Sequence, residues 1–229
     1  MRLYWFRHGQ MEVRASQVAD AGAINRLFNQ EIEGGLSARG RAEAERVAER
    51  LRGERIDGFY ASPLLRARET GEIVARALGR ELSITPAIAE LRTGHLAHDT
   101  WAARWVRAVS GAPLRAELKR VVLGGSLIPL YFHAWRSGRT VGGESPAMLR
   151  ERIDGFLAEL EARHPADATV ALFAHGYLVF TLAHGLARTP LARAALWRRP
   201  YIPNGGLTIM ELSRGALRLV RYVDDRHLR

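Results

Sequence analysis

The chain reads as an α/β protein, a three-layer α/β/α sandwich on a mainly parallel sheet. Three observations predict this class. Short apolar runs alternate with segments of helical periodicity along most of the 229 residues. Thr169 to Ala174 is a continuous, mostly apolar run, as expected of a strand buried on both faces. The alternation of strand and helix favours parallel pairing with helices on both sides of the sheet.

The elements follow in order. Arg2 to Phe6 (Arg-Leu-Tyr-Trp-Phe) is apolar after its first residue and predicts a buried strand. Residues 10–36 are polar and predict a loop, with a short helix around Ile24 to Phe28. Ser37 can cap a helix whose stripe Gly40, Ala44, Val47, Leu51 recurs at spacings of four, three and four. Gly58 to Ala61 predicts a second strand. Ser62-Pro63 then reads as an N-cap and a proline at the first helical position, ahead of the stripe Leu64, Ala67, Gly71, Val74, Leu78. Leu82 to Thr85 predicts a third strand. Residues 91–141 lose the strand–helix rhythm and predict a mostly helical insertion, a cap placed over the strand ends. The expected organisation is one domain over 1–229 with this cap at about 91–141. Ser145-Pro146 repeats the cap-plus-proline start before the stripe Leu149, Ile153, Phe156, Leu160. His175-Gly176 opens the next helix. Leu207–Leu212 and Leu217–Val223 read as two strands around Ser213-Arg214-Gly215.

Composition narrows the function. The apolar share of 47% and the charged share of 25% suit a globular domain with a sizeable core. With no cysteine, disulfides, thiolate catalysis and Cys-ligated metals are excluded. Met1 runs straight into the first strand without a signal-peptide core, so the expected compartment is the cytoplasm. The apolar stretch Val121 to Phe132 is too short and interrupted to span a bilayer, so no membrane partner is expected. Its uses stay open between packing the cap, a homodimer contact and lining the pocket.

Net charge is +10, yet Lys119 is the only lysine among 34 basic residues, which fits a compositional bias better than a nucleic-acid surface. Location is more telling. Arg104, Arg107, Arg115, Lys119, Arg120, Arg136 and Arg139 crowd residues 101–141 against Glu117 alone. A concentrated positive field of this kind favours a small anionic substrate.

The chemistry gathers where strands end. Arg7-His8-Gly9 leaves the first strand with a planar cation suited to phosphate oxygens, a nitrogen nucleophile that can be neutral, and a residue permitting close backbone approach. Arg66 falls in the first turn of a helix that follows a strand, where free N–H groups and the dipole already favour an anion. His175 ends the strand at Thr169–Ala174. Glu90 follows the third strand near the same rim. Arg14, Gln10 and Asn204 are candidate substrate contacts. His184, in a second Ala-His-Gly, falls mid-helix and reads as structural. His95 and His98 lack the carboxylate pattern of a metal site, so no metal is expected.

Arg7-His8-Gly9, Ser62-x-Leu-x-Arg66-Ala-x-x-Thr70, Glu90, Gly143-Glu144-Ser145 and His175-Gly176 together resemble the histidine phosphatase superfamily, the phosphoglycerate mutase-like group, over essentially the whole chain. The resemblance implies a phosphomonoesterase of the histidine acid phosphatase type, without metal or cofactor. It implies His8 as the nucleophile that holds phosphorus, with Arg7, Arg66 and a cationic His175 binding the phosphoryl oxygens. Glu90 would serve as the acid, then the base.

The chain departs from the mutases where they fix their substrate. They carry Glu-Arg-x-Tyr-Gly around the acid, and this chain reads Glu90-Leu91-Arg92-Thr93-Gly94; Arg14 stands where many mutases have Asn. Those losses, and the cap, favour hydrolysis of a small enclosed phosphate ester over mutase chemistry. Mutase-type phosphotransfer and non-catalytic phospholigand binding are the rival readings.

Overall fold

Four apolar residues in a row, Leu3 to Phe6, have no polar face to offer solvent, and all four are buried. They form β1 (Arg2–Arg7) in a computed structural model that describes residues 1–12, 34–97, 103–105, 108 and 129–229. The elements that follow are α1 (Ala38–Leu51), β2 (Gly58–Ala61), α2 (Leu65–Ala77) and β3 (Ser83–Ile84). Next come β4 (His95–Leu96), β5 (Thr140–Val141), α3 (Pro146–Arg163) and β6 (Thr169–Ala174). The chain closes with α4 (Gly176–Leu186), α5 (Pro190–Trp197), β7 (Leu207–Ser213) and β8 (Ala216–Asp224).

Six strands form a mixed sheet in the order β3-β2-β6-β1-β7-β8. The pairs β2–β3, β2–β6 and β1–β6 are parallel, while β7 runs antiparallel to β1 and β8 antiparallel to β7. Because side chains alternate along a strand, Tyr4, Phe6, Phe59, Ala61, Ala171, Phe173 and Leu207 share one face. There they pack on Val47, Ala48 and Leu51 of α1 and Val74 of α2. On the other face Tyr60 meets the Phe156 ring of α3 edge-on at 5.8 Å between centroids. Helices therefore flank both faces, and the three-layer expectation holds.

Register brings the chemistry together. Arg7 pairs with Ala174, and Ala61 with Phe173. The next residues, His8, Ser62 and His175, thus leave the sheet at one rim. The His8 and Ser62 N–H groups donate to the Ala174 and Phe173 carbonyls, each at 3.0 Å.

Local chemistry explains most boundaries. Ser37 Oγ accepts from the Gly40 N–H at 3.1 Å, capping α1 as expected. Gly40 is needed because a Cβ there would collide with the Gln10 carbonyl. Leu149, Ile153, Phe156 and Leu160 of α3 are all buried. Arg214 and Gly215 both take positive φ in the two-residue turn joining β7 to β8.

Two expectations change. Ser62 does not cap a helix: α2 starts at Leu65, with Leu64 at the cap position and no side-chain cap bond. The ends of the 91–141 insertion are not helical, since β4 and β5 pair antiparallel, His95 with Val141 and Leu96 with Thr140. Helix is present at 103–105 and 129–136. The predicted helix near Ile24–Phe28, together with Arg14, His98, Arg107, Arg115, Lys119, Arg120 and most of the 121–132 run, lies outside the described residues.

The described residues group into two compact units: 1–12, 34–90 and 152–229 in one, and the described part of 91–151 in the other. The first holds the six-stranded sheet. In the second, the Glu144 N–H donates to the Arg92 carbonyl at 2.8 Å beside the β4–β5 pair. Among the described residues no helix is long and apolar enough to cross a membrane.

Candidate active site

His8 follows β1 and is nearly enclosed, at 7% exposure. Its two partners fix its tautomer. The Gly9 carbonyl can only accept, so Nδ1 carries the proton and donates to it at 2.7 Å. Arg66 Nε can only donate, and does so to His8 Nε2 at 3.2 Å, so Nε2 holds the lone pair. Burial first, then the Arg7 and Arg66 guanidiniums, push His8 well below the ordinary imidazole value. The site holds a neutral imidazole with its lone pair on Nε2.

The supporting loop is tied on three sides. Thr70 Oγ1, fully buried on α2, accepts the Gly9 N–H at 3.0 Å and donates to the Arg66 carbonyl at 2.7 Å. Asn204 Nδ2 donates to the His8 carbonyl at 2.9 Å, and the Gly205 N–H donates to the Arg7 carbonyl at 2.9 Å. Gly205 takes φ of +72°, a conformation that favours glycine. Asn204, a candidate substrate contact, thus has its amide nitrogen on the His8 backbone.

Arg7 ends β1 with its guanidinium over the Tyr201 ring, 4.1 Å from the centroid, and Nη1 donates to the Ile202 carbonyl. Its Nε is buried without a hydrogen-bond partner among the described residues. Gly176 leaves room for it, since a Cβ there would come within 3.0 Å of Arg7 Cδ. Arg66 is 5% exposed, so a charged fork is enclosed beside His8.

His175 is fully buried, with its ring 5.2 Å from that of His8. Nε2 lies 2.8 Å from Ser62 Oγ, and Nδ1 has no hydrogen-bond partner among the described residues. Burial, then Arg66, His8, Arg7 and Arg152, push its value well below the ordinary imidazole range. In the free protein, burial and these basic neighbours disfavour the cationic form that the resemblance implies for His175 beside a phosphate. Ser62, read as a helix cap, instead supports this ring.

Glu90 reaches the same rim by capping α4. Its Oε1 accepts the Leu178 N–H at 2.8 Å and its Oε2 the Tyr177 N–H at 3.3 Å, directly after His175. Arg152 of α3, which nothing in the sequence singled out, donates to the carbonyls of Ala87 and Ala89 at 2.6 and 3.2 Å. It pins the turn that delivers Glu90. Gln10 is exposed, and its Oε1 accepts from the Ser37 hydroxyl at 3.0 Å. Arg14 lies outside the described residues. His184 is a buried helical residue against the Phe180 and Trp197 rings, as its mid-helix position implied.

The enclosed Arg66 fork, the half-buried Arg7, a neutral imidazole with a directed lone pair, and a second buried imidazole whose Nδ1 is unpartnered among the described residues are suited to a tetrahedral dianion and to attack on it. The profile of the histidine phosphatase superfamily (branch 1) matches residues 3–111 and 127–225. The probable phosphoglycerate mutase GpmB of Salmonella paratyphi A is 26% identical over 192 residues, 83% of this chain and 76% of its own. Phosphoserine phosphatase 1 of Hydrogenobacter thermophilus is 30% identical over 144 residues, 61% of this chain and 58% of its own. Among solved structures, mycobacterial glucosyl-3-phosphoglycerate phosphatase is 25% identical with a TM-score of 0.60, covering 91% of this chain and 89% of that one. Bacillus stearothermophilus YhfR superposes with a TM-score of 0.65 at 23% identity, over 100% and 99% of the two chains.

Proposed function

We propose, on the premise that the chain belongs to the histidine phosphatase superfamily, that it is a phosphomonoesterase. It removes phosphate from a small phosphorylated metabolite through a phosphohistidine on His8. The observation that carries this reading is the fixed tautomer of His8, with its lone pair on Nε2 beside the Arg66 fork.

An entering phosphoryl oxygen takes over the Arg66 Nε–H and so frees the Nε2 lone pair. Nε2 attacks phosphorus, the bond to the leaving oxygen breaks, and Glu90 delivers a proton to that oxygen. Glu90, now a carboxylate, takes a proton from water as the water oxygen attacks phosphorus. The phosphorus–nitrogen bond breaks and inorganic phosphate leaves. Arg7 and Arg66 offset the charge on the equatorial oxygens, so no metal or cofactor enters the scheme. The Ser62 hydroxyl accepts the Leu64 N–H at 3.3 Å, which leaves its own proton free to donate to His175 Nε2. That arrangement puts a proton on Nδ1, a further donor for the phosphoryl group. Low proton affinity keeps His8 a nucleophile in mildly acidic solution, which supports the acid phosphatase type.

The curated mutases at 26% identity favour a second reading, transfer between isomers of a phosphorylated acid. Leu91 and Thr93, both fully buried, occupy the positions where the resemblance expects the mutases' Arg and Tyr, which supports hydrolysis. Phosphate release across a panel of phosphorylated metabolites, against isomer transfer with a bisphosphorylated primer, separates the two. Phosphate release without transfer supports the phosphatase. Primer-dependent transfer without net release overturns it.

A further inference from the structure

We propose that a cleft of about 390 Å³, bounded by α1, the 201–204 loop and the C-terminal turn, binds a small organic polyanion that raises activity at His8. The kinetic part rests on the proposed phosphatase reading; the binding part does not.

Arg39, Glu43 and Arg46 line the cleft from one face of α1, at spacings of four and three. Tyr201, Asn204 and Arg229 line it from the other elements. Its carboxylates are already occupied. Glu43 Oε1 accepts from Arg39 Nε at 3.0 Å and Oε2 from the Gln10 N–H at 2.7 Å. Asp225 takes Arg199 at 3.1 Å and Arg229 at 3.4 Å. Arg46 shares the cleft with Glu43 and Asp225 but forms no ion pair with a described residue, and its one hydrogen bond among them is a long 3.5 Å contact to the Leu228 carbonyl. Its fork is therefore available to a carboxylate or phosphate. The volume suits a multi-atom ligand rather than a bare ion.

The wall of this cleft is the loop that holds the nucleophile. Tyr201 lies on Arg7, Asn204 donates to the His8 carbonyl and Gly205 to the Arg7 carbonyl. His227 Nε2 lies 2.9 Å from the Gly205 carbonyl, tying the C-terminal turn to the same loop. An anion bridging Arg46 to this loop braces the segment that aims His8.

The test uses citrate as probe and the full chain. Calorimetry is expected to detect citrate binding that weakens at least tenfold in Arg46→Ala and in Arg229→Ala but persists in Arg66→Ala. With an aryl phosphate as substrate, saturating citrate is expected to raise kcat/KM about fivefold in the parent and not in Arg46→Ala, within the usual range of coupling. No citrate binding, or binding insensitive to Arg46 and Arg229, overturns the site. Loss of binding in Arg66→Ala with competitive inhibition places citrate in the phosphoryl pocket and equally overturns it. Binding at the cleft with unchanged kcat/KM overturns the coupling. Because calorimetry needs no turnover, an inactive chain that still binds citrate through Arg46 sinks the phosphatase reading alone.

Discussion

Arg66 Nε donates to His8 Nε2 at 3.2 Å while the Gly9 carbonyl holds the opposite nitrogen of the same ring. In the proposed reaction the lone pair of His8 is thus guarded by the cation that receives the substrate, and a bound phosphoryl group takes over the donor and exposes the lone pair. Arg66→Ala is expected to lower kcat/KM by about 10²–10³, the usual loss for one donor aimed at developing charge. Arg66→Lys keeps the charge but not the planar fork and is expected to recover only part of that loss. Steady-state kinetics on an aryl phosphate measure both.

Under the proposed phosphatase reading Glu90 has two tasks that substitution can separate. Glu90→Gln retains an acceptor for the α4 amides but has no proton to give. Its loss of kcat is expected to be larger for alkyl phosphates, whose leaving alkoxides need protonation, than for nitrophenyl phosphate, whose leaving group does not. Glu90→Ala is additionally expected to destabilise the fold by about 0.5–2 kcal/mol, the usual cost of removing a helix cap. Urea denaturation alongside the leaving-group series checks both effects.

Arg152 donates to the carbonyls of Ala87 and Ala89, ahead of Glu90, and its charge also bears on His175. Arg152→Ala is expected to steepen the dependence of kcat on leaving-group acidity, as Glu90→Gln does, while leaving inhibition by inorganic phosphate within about twofold, a change of under 0.5 kcal/mol. An equal loss for every leaving group would assign Arg152 a purely structural role.

Stability should depend on pH chiefly through the two buried histidines, with His227, also held below the ordinary imidazole value by burial, adding to the same slope. Both have folded-state values well below the ordinary 6.5, so between the two values only the unfolded chain binds the proton. Stability therefore falls as pH drops below 6.5, by about 1.4 kcal/mol per pH unit for each histidine. Asp57, Asp224 and Asp225 are held below the ordinary carboxylate value and act only at lower pH. Urea unfolding from pH 7 to pH 5 is expected to show this slope, and His175→Gln to roughly halve it. A flat profile over that window would show that the imidazoles accept protons in the fold.

The sheet and most of the rim were legible in the sequence because the two histidines stand at the sharp ends of apolar runs. His8 after Phe6 and His175 after Ala174 needed no tertiary information. Ser62 misled because Ser-Pro has the chemistry of a helix start, while its hydroxyl is taken by a histidine 113 residues away. Arg152 gave no local signal at all, since its carbonyl partners come from a turn more than 60 residues earlier. β4 and β5 are two residues each, too short to carry a period. The neutrality of His175 depends on burial and on guanidiniums converging from separate elements, which no linear pattern displays.

The most direct test is to mix the protein with an aryl phosphate, quench during turnover and map phosphoryl groups by mass spectrometry at alkaline pH. The expected result is one phosphohistidine on the peptide containing His8, absent in His8→Ala together with phosphate release. Turnover that persists in His8→Ala, or a phosphoryl group found on another residue, would contradict His8 as the nucleophile.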